Sequence, residues 1–218
     1  MSKKTIIFGT THFAKMLYYY ISEDGQGVSA FTVDGRYITK DLDFPCEVIP
    51  FEQLSEVYPP YECEVLPVVG YFDMNDRRKQ IFQKIRQAGF KIGSYIHPTA
   101  CIAKNSKYGD GLIALEQAVI QPFVNLGDGN VLWSNANISH NSEIGNFNWF
   151  APNASLAGDV VVGNNCFFGN NCSVKNGITV GDYTLVGAGS YVRKSTSAHQ
   201  VIKASKSDYC SGTEYKEF

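Results

Sequence analysis

Residues 154–174 read ASLAGD VVVGNN CFFGNN CSV, and the third letter of each hexad is apolar: Leu156, Val162, Phe168 and Val174. Ile102, Tyr108, Ala114, Ile120, Leu126, Leu132, Ile138, Ile144 and Phe150 precede them in step, and Val180, Val186 and Val192 follow. Each of these is apolar or a small non-polar stand-in. A helix repeats its inner face about every 3.6 residues and a strand about every 2, so neither stays in step with six. The reading is a β-solenoid of hexapeptide repeats.

A second register supports it. The residue two places before the apolar one is usually small, as at Ala100, Ser106, Ala118, Ala136, Ser142, Ala154, Cys166, Cys172, Thr184 and Ser190. Both positions are expected to point inward. Gly often follows the apolar residue directly (Gly127, Gly145, Gly163, Gly169, Gly181, Gly187), with Asn nearby (Asn146, Asn164, Asn165, Asn170, Asn176). These residues tolerate positive φ, which tight corners need. Three hexads, roughly eighteen residues, make one three-sided coil, and about five coils stack at about 4.8 Å each.

Composition narrows the functional classes. The 218 residues carry 19 basic and 21 acidic side chains, a net charge of −2, and are 44% hydrophobic. No basic excess suits nucleic acid or an anionic membrane surface. The opening run Thr5-Ile6-Ile7-Phe8 is too short for a secretory signal, and no stretch matches a bilayer's thickness. The expected location is the cytoplasm. The 6 cysteines (Cys46, Cys63, Cys101, Cys166, Cys172, Cys210) show no CxxC and no histidine at metal-ligand spacing, so no metal is expected. Cys166 and Cys172 read as small core residues.

The sequence before the repeat has a different rhythm. Lys4 to Phe8 reads as a strand, Gly9-Thr10-Thr11-His12 as a turn, and Phe13 to Ser22 as a helix. A strand over 28–33 ends at Asp34-Gly35. Pro-bounded loops follow, then a strand near 65–70, a helix over 75–88 and a last strand over 90–95. Strands alternating with helices predict a small Rossmann-like parallel α/β layer, in which ligands sit beyond the strands' carboxyl ends. The candidate binding residues are therefore Gly9, Thr10, Thr11, His12, Asp34 and Gly70. Their phosphate-loop pattern lacks both GxGxxG and a Walker lysine, but a helix N-terminus can hold phosphate without a motif. The expected organisation is an α/β domain over 1–97, a solenoid over 98–194, and a tail over 195–218 without repeat register.

Inside the repeat, His140 is the one histidine, and it falls two residues after inward Ile138, on a corner. One coil earlier the same corner holds Pro122; one and two coils later it holds Gly158 and Asn176. His140 and Gly158 should thus be stacked neighbours. Imidazole is the side chain suited to accept a proton near neutral pH. A glycine one coil away leaves its N–H approachable by a carbonyl oxygen. A solvated turn histidine is the competing reading from spacing alone.

From His97-Pro98-Thr99-Ala100 through Ile138-Ser139-His140-Asn141 to Phe150–Gly158, with the Gly9–Ala14 turn, Asp34 and the Gly70 strand end, the chain resembles bacterial sugar O-/N-acyltransferases. These include the sialic acid O-acetyltransferase and bacillosamine-pathway N-acetyltransferase types. The resemblance spans roughly residues 4–194. It implies an N-terminal nucleotide-sugar domain, a left-handed parallel β-helix, acetyl-CoA as co-substrate, no metal, and a homotrimer with active sites between subunits. It further implies N- or O-acetylation of a nucleotide-linked sugar in surface-polysaccharide or glycan biosynthesis, and an amine acceptor is preferred over a hydroxyl because it is the better nucleophile. His140 is then the general base, Asn141 its orienting neighbour, and Gly158 N–H the oxyanion donor. Cofactor contacts are implied at Trp149, Gly158, Asn176, Ala188 and Lys203. The chain departs from that pattern in three places. Asn141 stands where relatives carry Asp or Glu, Trp149 where some carry a second histidine, and His199–Ala204 replaces a closing Gly-Asn-Pro-Ala element. Two other readings stay open: a scaffold that binds sugar and CoA without transfer, and acyl transfer to a sugar that is not nucleotide-linked.

Overall fold

A computed structural model describes residues 4–39 and 41–205. Most of the expected tail, with Lys206 and Cys210, lies outside the described residues. The α/β layer runs β1 (Lys4–Phe8), α1 (His12–Glu23), β2 (Val28–Val33), β3 (Val48–Pro50), α2 (Leu54–Val57), β4 (Cys63–Pro67), α3 (Asp76–Gln87) and β5 (Lys91–Ile92). Its strands are parallel in the order β3-β2-β1-β4-β5. Alternation along β1 explains the layering: Ile7 faces α1 with Ala14, Leu17 and Ile21, while Ile6 and Phe8 face Leu54 and Ile85. β3 lies where the sequence reads as Pro-bounded loops. Pro50 ends an edge strand, where no ladder donor is required of it.

The solenoid is a left-handed parallel β-helix. Two-residue strands repeat on three faces and pair with the strand eighteen residues away, as Asn137–Ile138 does with Ser155–Leu156. The first face runs from Tyr95–Ile96 to Val201–Ile202, the second from Cys101–Ile102 to Tyr191–Val192, the third from Lys107–Tyr108 to Thr179–Val180. Both ends therefore differ from the expected boundaries. Tyr95–Ile96 is already a rung, and Val201–Ile202, expected to lie in a tail without register, pairs with Leu185–Val186. Inward positions fill one apolar column with Ile138, Phe150, Leu156, Phe168, Cys166 and Cys172. Burial pushes the two thiols up, Cys166 to about 11 and Cys172 to about 12. Tyr108, expected inward, is 44% exposed, because its face has no coil beneath it.

The corners correct one detail. Gly127, Gly145, Gly163, Gly169, Gly181 and Gly187 do not adopt positive φ; that conformation falls to Asn135, Asn141, Asn153, Asp159, Asn165 and Asn171 among others. The glycines supply room instead. A Cβ at Gly163 would lie 2.1 Å from Asp182 Oδ1. That oxygen accepts the Asn164 N–H at 2.6 Å, one step of a side-chain ladder along the edge between third and first faces. Asn164 Oδ1 accepts from Asn146 N–H, Asn146 Oδ1 from Asp128 N–H, and Asp128 Oδ1 from Asp110 N–H, at 2.8, 2.8 and 2.9 Å.

The α/β layer covers the first face. Phe13 stacks on Trp133 at 5.3 Å, and Trp149, 4% exposed, is enclosed by Phe13, Trp133 and Tyr71. Arg78 is buried at this junction without a carboxylate; its guanidinium donates to Gly129 O and Asn75 Oδ1 and lies 5.5 Å from the Trp149 ring. Burial pushes that guanidinium down to about 9.

Candidate active site

β1 has β2 on one side and β4 on the other, so the chain reverses direction there and leaves a crevice beyond the strand ends. A pocket of about 470 Å³ occupies it, lined by Gly9, Thr10, Thr11, Asp34 and Gly70 among the expected residues. That volume lies within the range of about 300–1,000 Å³ typical of small-molecule sites. Gly9 makes the crevice possible: its φ is +141°, and a Cβ there would lie 2.3 Å from Val68 O. Thr11, on the pocket wall, is the residue before α1 and makes no side-chain cap hydrogen bond to it. Asp34 is held by Lys84 Nζ at 2.5 Å, and Lys84 also meets Glu52 at 3.2 Å. Burial pulls the Lys84 ammonium down, but the two carboxylates together hold it above its ordinary value. Backbone N–H groups of Glu52 itself and of Gly35 lower Glu52.

His12 does not share this pocket. It lines a neighbouring depression with Lys15, Asp43 and Phe44, because α1 has begun to turn by that residue. The sequence reading did not single out Tyr37, Asp73 or Arg77, which with Phe72 complete the pocket wall. Phe72 is 68% exposed, and Tyr71, itself 53% exposed, packs on Trp149 and Phe167. Arg77 Nη2 donates to Tyr37 Oη at 2.5 Å, and Arg36 lies 4.8 Å over the same ring. No periodic signal marks these residues: Tyr37, Phe72 and Asp73 lie in turns beyond the strand ends, and Arg77 in the first turn of α3.

His140 sits on the edge between second and third faces, opposite the face that the α/β layer covers. Asp159 N–H donates to His140 O at 3.0 Å, which places the histidine and Gly158 on adjacent rungs. A Cβ at Gly158 would lie 2.4 Å from Cε1 and 2.7 Å from Nε2 of the His140 ring. The ring therefore lies against the bare Cα of Gly158. Gly158 N–H has no protein acceptor among the described residues, while Gly158 O accepts from Gly177 N–H at 3.1 Å. Below, His140 N–H donates to Gln121 Oε1 at 3.0 Å. Asn141 presents Nδ2 to His140 Nδ1 at 3.3 Å; rotation of the amide by half a turn presents Oδ1 instead.

The residues expected to meet a cofactor divide. Asn176 follows Gly158 on the same edge and is exposed. Ala188 and Lys203 are exposed too, but on the edge between first and second faces. Trp149 stands apart from both edges: its strand points it outward from the first face, where the α/β layer buries it. Among the described residues no cluster of three or more His, Cys, Asp or Glu side chains could hold a metal.

Comparison with known proteins agrees with this architecture. The bacterial transferase hexapeptide family (six repeats) matches residues 141–176, and the hexapeptide repeat of succinyl-transferase matches 159–194. Residues 141–194 thus match hexapeptide-repeat models. No curated protein matches this hexapeptide-repeat chain by sequence. Solved structures match it over nearly its whole length. The acetyltransferase domain of PglB from Neisseria gonorrhoeae FA1090, in complex with acetyl coenzyme A, superposes with TM-score 0.81 at 22% identity, covering 92% of this chain and 96% of that one. PerB from Caulobacter crescentus, in complex with CoA and GDP-perosamine, gives TM-score 0.81 at 24% identity, with coverages of 94% and 99%. WeeI from Acinetobacter baumannii AYE gives 0.74 at 18%, with coverages of 91% and 95%. At these identities the shared property is the fold.

Proposed function

We propose that this chain is an acetyl-CoA-dependent N-acetyltransferase of a nucleotide-linked amino sugar used in glycan or surface-polysaccharide assembly. The observation that carries the reading is the His140 ring lying against Gly158 beside an unpaired backbone N–H. Support also comes from the pocket at the β1–β4 crevice and from the ligands named with the two matched structures. His140 takes a proton from the sugar amine as the nitrogen attacks the thioester carbonyl. The carbonyl oxygen gains charge and accepts the Gly158 N–H. Collapse re-forms the carbonyl, breaks the C–S bond and releases the CoA thiol, protonated from His140. Gly158 and Asn176 line the path along the edge that an extended thioester would follow.

The sugar pocket and His140 stand on opposite sides of one prism, and among the described residues no hydrogen bond, ion pair or ring contact joins them. One chain cannot bring them together. A homotrimer with its sites between subunits supplies the pocket from one copy and the histidine from its neighbour, and juxtaposes the two edges that separate Asn176 from Ala188 and Lys203. Location in the cytoplasm, where acetyl-CoA and sugar nucleotides are made, completes the proposal. Among the described residues no helix is long and apolar enough to cross a membrane.

A thiol-release assay over a panel of UDP- and GDP-linked amino sugars tests the reading. Acceptor-dependent release that falls by about 10²–10⁴ in His140→Ala supports it; equal turnover in that variant removes the assigned base. One observation favours a non-catalytic scaffold instead: with Asn141 Nδ2 donating to Nδ1, the ring proton sits on Nε2, which then cannot accept another. Calorimetric CoA binding without acetylation of any acceptor selects that alternative.

A further inference from the structure

Left-handed backbone is disfavoured for residues with a large side chain. Four of the solenoid's left-handed corners accordingly hold Gly, and six of the other eleven hold Asn or Asp. Three hold aromatics: Phe123, Phe147 and Tyr183, with φ of 65°, 58° and 54°. Two of these are held by packing against partners. Phe147 is 9% exposed and meets Phe82 edge-on at 5.3 Å; Tyr183 Oη donates to Asp76 Oδ1 at 2.9 Å and its ring stacks on His199 at 5.0 Å. Phe123 has no such partner. It is 62% exposed, and no aromatic or cationic group among the described residues meets its ring.

Its position is informative. Asn141 N–H donates to Pro122 O at 3.2 Å, so Pro122 and Phe123 form the rung next to His140 and Asn141, on the side away from Gly158. Adjacent rungs are about 4.8 Å apart. The amine that attacks a thioester carbonyl bound by Gly158 N–H must reach both that carbonyl carbon and the His140 ring, and because the thioester runs from Gly158 toward Asn176, the rest of the acceptor extends along the edge to the other side of His140. That side is where Phe123 projects.

We infer, on the basis of the reading above, that Phe123 is the acceptor-specificity residue of the site: its ring packs against the apolar C–H face of the amino sugar and aims the amine at His140. An aromatic face is suited to this, because a pyranose offers axial C–H groups on one side and keeps its hydroxyls at the rim. The unfavourable backbone at residue 123 is then retained for contact with substrate, as strain at functional sites commonly is.

Phe123→Asn and Phe123→Tyr test the inference by kinetics, thermal unfolding and sedimentation, with the UDP- and GDP-linked amino sugars as acceptors. Asn suits a left-handed corner, so Phe123→Asn is expected to raise the unfolding temperature while raising the acceptor KM roughly tenfold or more. The acetyl-CoA KM and the affinity for UDP or GDP alone stay within about twofold of wild type. Phe123→Tyr keeps the ring and retains near-normal acceptor KM. An unchanged acceptor KM in Phe123→Asn overturns the inference while leaving the proposed activity intact. A lower unfolding temperature together with a smaller sedimenting species also overturns it, since the ring would then be packing between copies. Absence of acceptor-dependent thiol release in the wild type overturns the activity and this inference together.

Discussion

Gly158→Ala is the most discriminating single substitution, because the three atoms nearest the added methyl all belong to one side chain. Its Cβ would lie 2.4, 2.7 and 2.9 Å from Cε1, Nε2 and Nδ1 of His140, so the ring must move by about 1 Å or more to reach ordinary contact distance. His140 is exposed and can swing into solvent. Gly158 is not among the left-handed glycines, so alanine enters without backbone strain and slightly restricts the unfolded chain. The expected change in stability is therefore within about 0.5 kcal/mol. Catalysis fares differently. A displacement of about 1 Å in a catalytic group costs on the order of 10²-fold in kcat, roughly 2.7 kcal/mol. Thiol release measured in wild type, Gly158→Ala, His140→Ala and the double variant makes a complete cycle. With the imidazole gone the methyl has nothing to displace, so the double variant should fall within about threefold of His140→Ala. Wild-type kcat in Gly158→Ala, or a full further loss on the His140→Ala background, would refute the adjacency on which the chemistry rests.

Other expectations follow from the same geometry. Asn141→Asp places a carboxylate beside Nδ1, fixes the proton there and favours the imidazolium by about 1 kcal/mol at an exposed separation near 4 Å, so the acid limb of the kcat profile should move up by about 0.7 pH unit; an unmoved limb rules out contact between the two side chains. Gly9→Ala drives a methyl into Val68 O at positive φ, and should cost about 2–3 kcal/mol in thermal unfolding and abolish nucleotide-sugar binding, whereas unaltered unfolding would contradict the crevice geometry. Burial raises Cys166 and Cys172 above their unfolded range, so the native state holds protons that the unfolded state releases. Stability should be full below about pH 8.5 and decline as pH rises toward 11–12, and Cys172→Ala should flatten that decline as followed by circular dichroism; a pH-independent slope would show that neither thiol titrates on unfolding.

The solenoid was legible because its period is imposed by packing: a coil cannot close unless every sixth side chain turns inward, and Leu156, Val162 and Phe168 record that demand directly. The same arithmetic placed His140 beside Gly158. It did not reveal the end rungs Tyr95–Ile96 and Val201–Ile202, where the neighbouring sequence loses its regularity. Trp149 entered the expectations only through the family resemblance, and the docking of the α/β layer that buries it leaves no mark in the repeat. Arg78 and Arg77 gave no signal, since adjacent arginines on a helix read as solvated until tertiary structure separates the buried one from the one on the pocket wall. Phe123 could have been found by subtracting one coil from Asn141, but its lack of partners is visible only in three dimensions.

Placing the sugar crevice and the imidazole on opposite flanks of one prism has a genetic consequence. If each reaction centre borrows its two halves from neighbouring polypeptides, a chain lacking His140 and a chain with a blocked crevice are defective for unrelated reasons, and mixed rings contain pairings in which each repairs the other. Random co-assembly of the two inert forms in equal amounts would restore about one junction in four. Two null alleles could thus complement within a single locus.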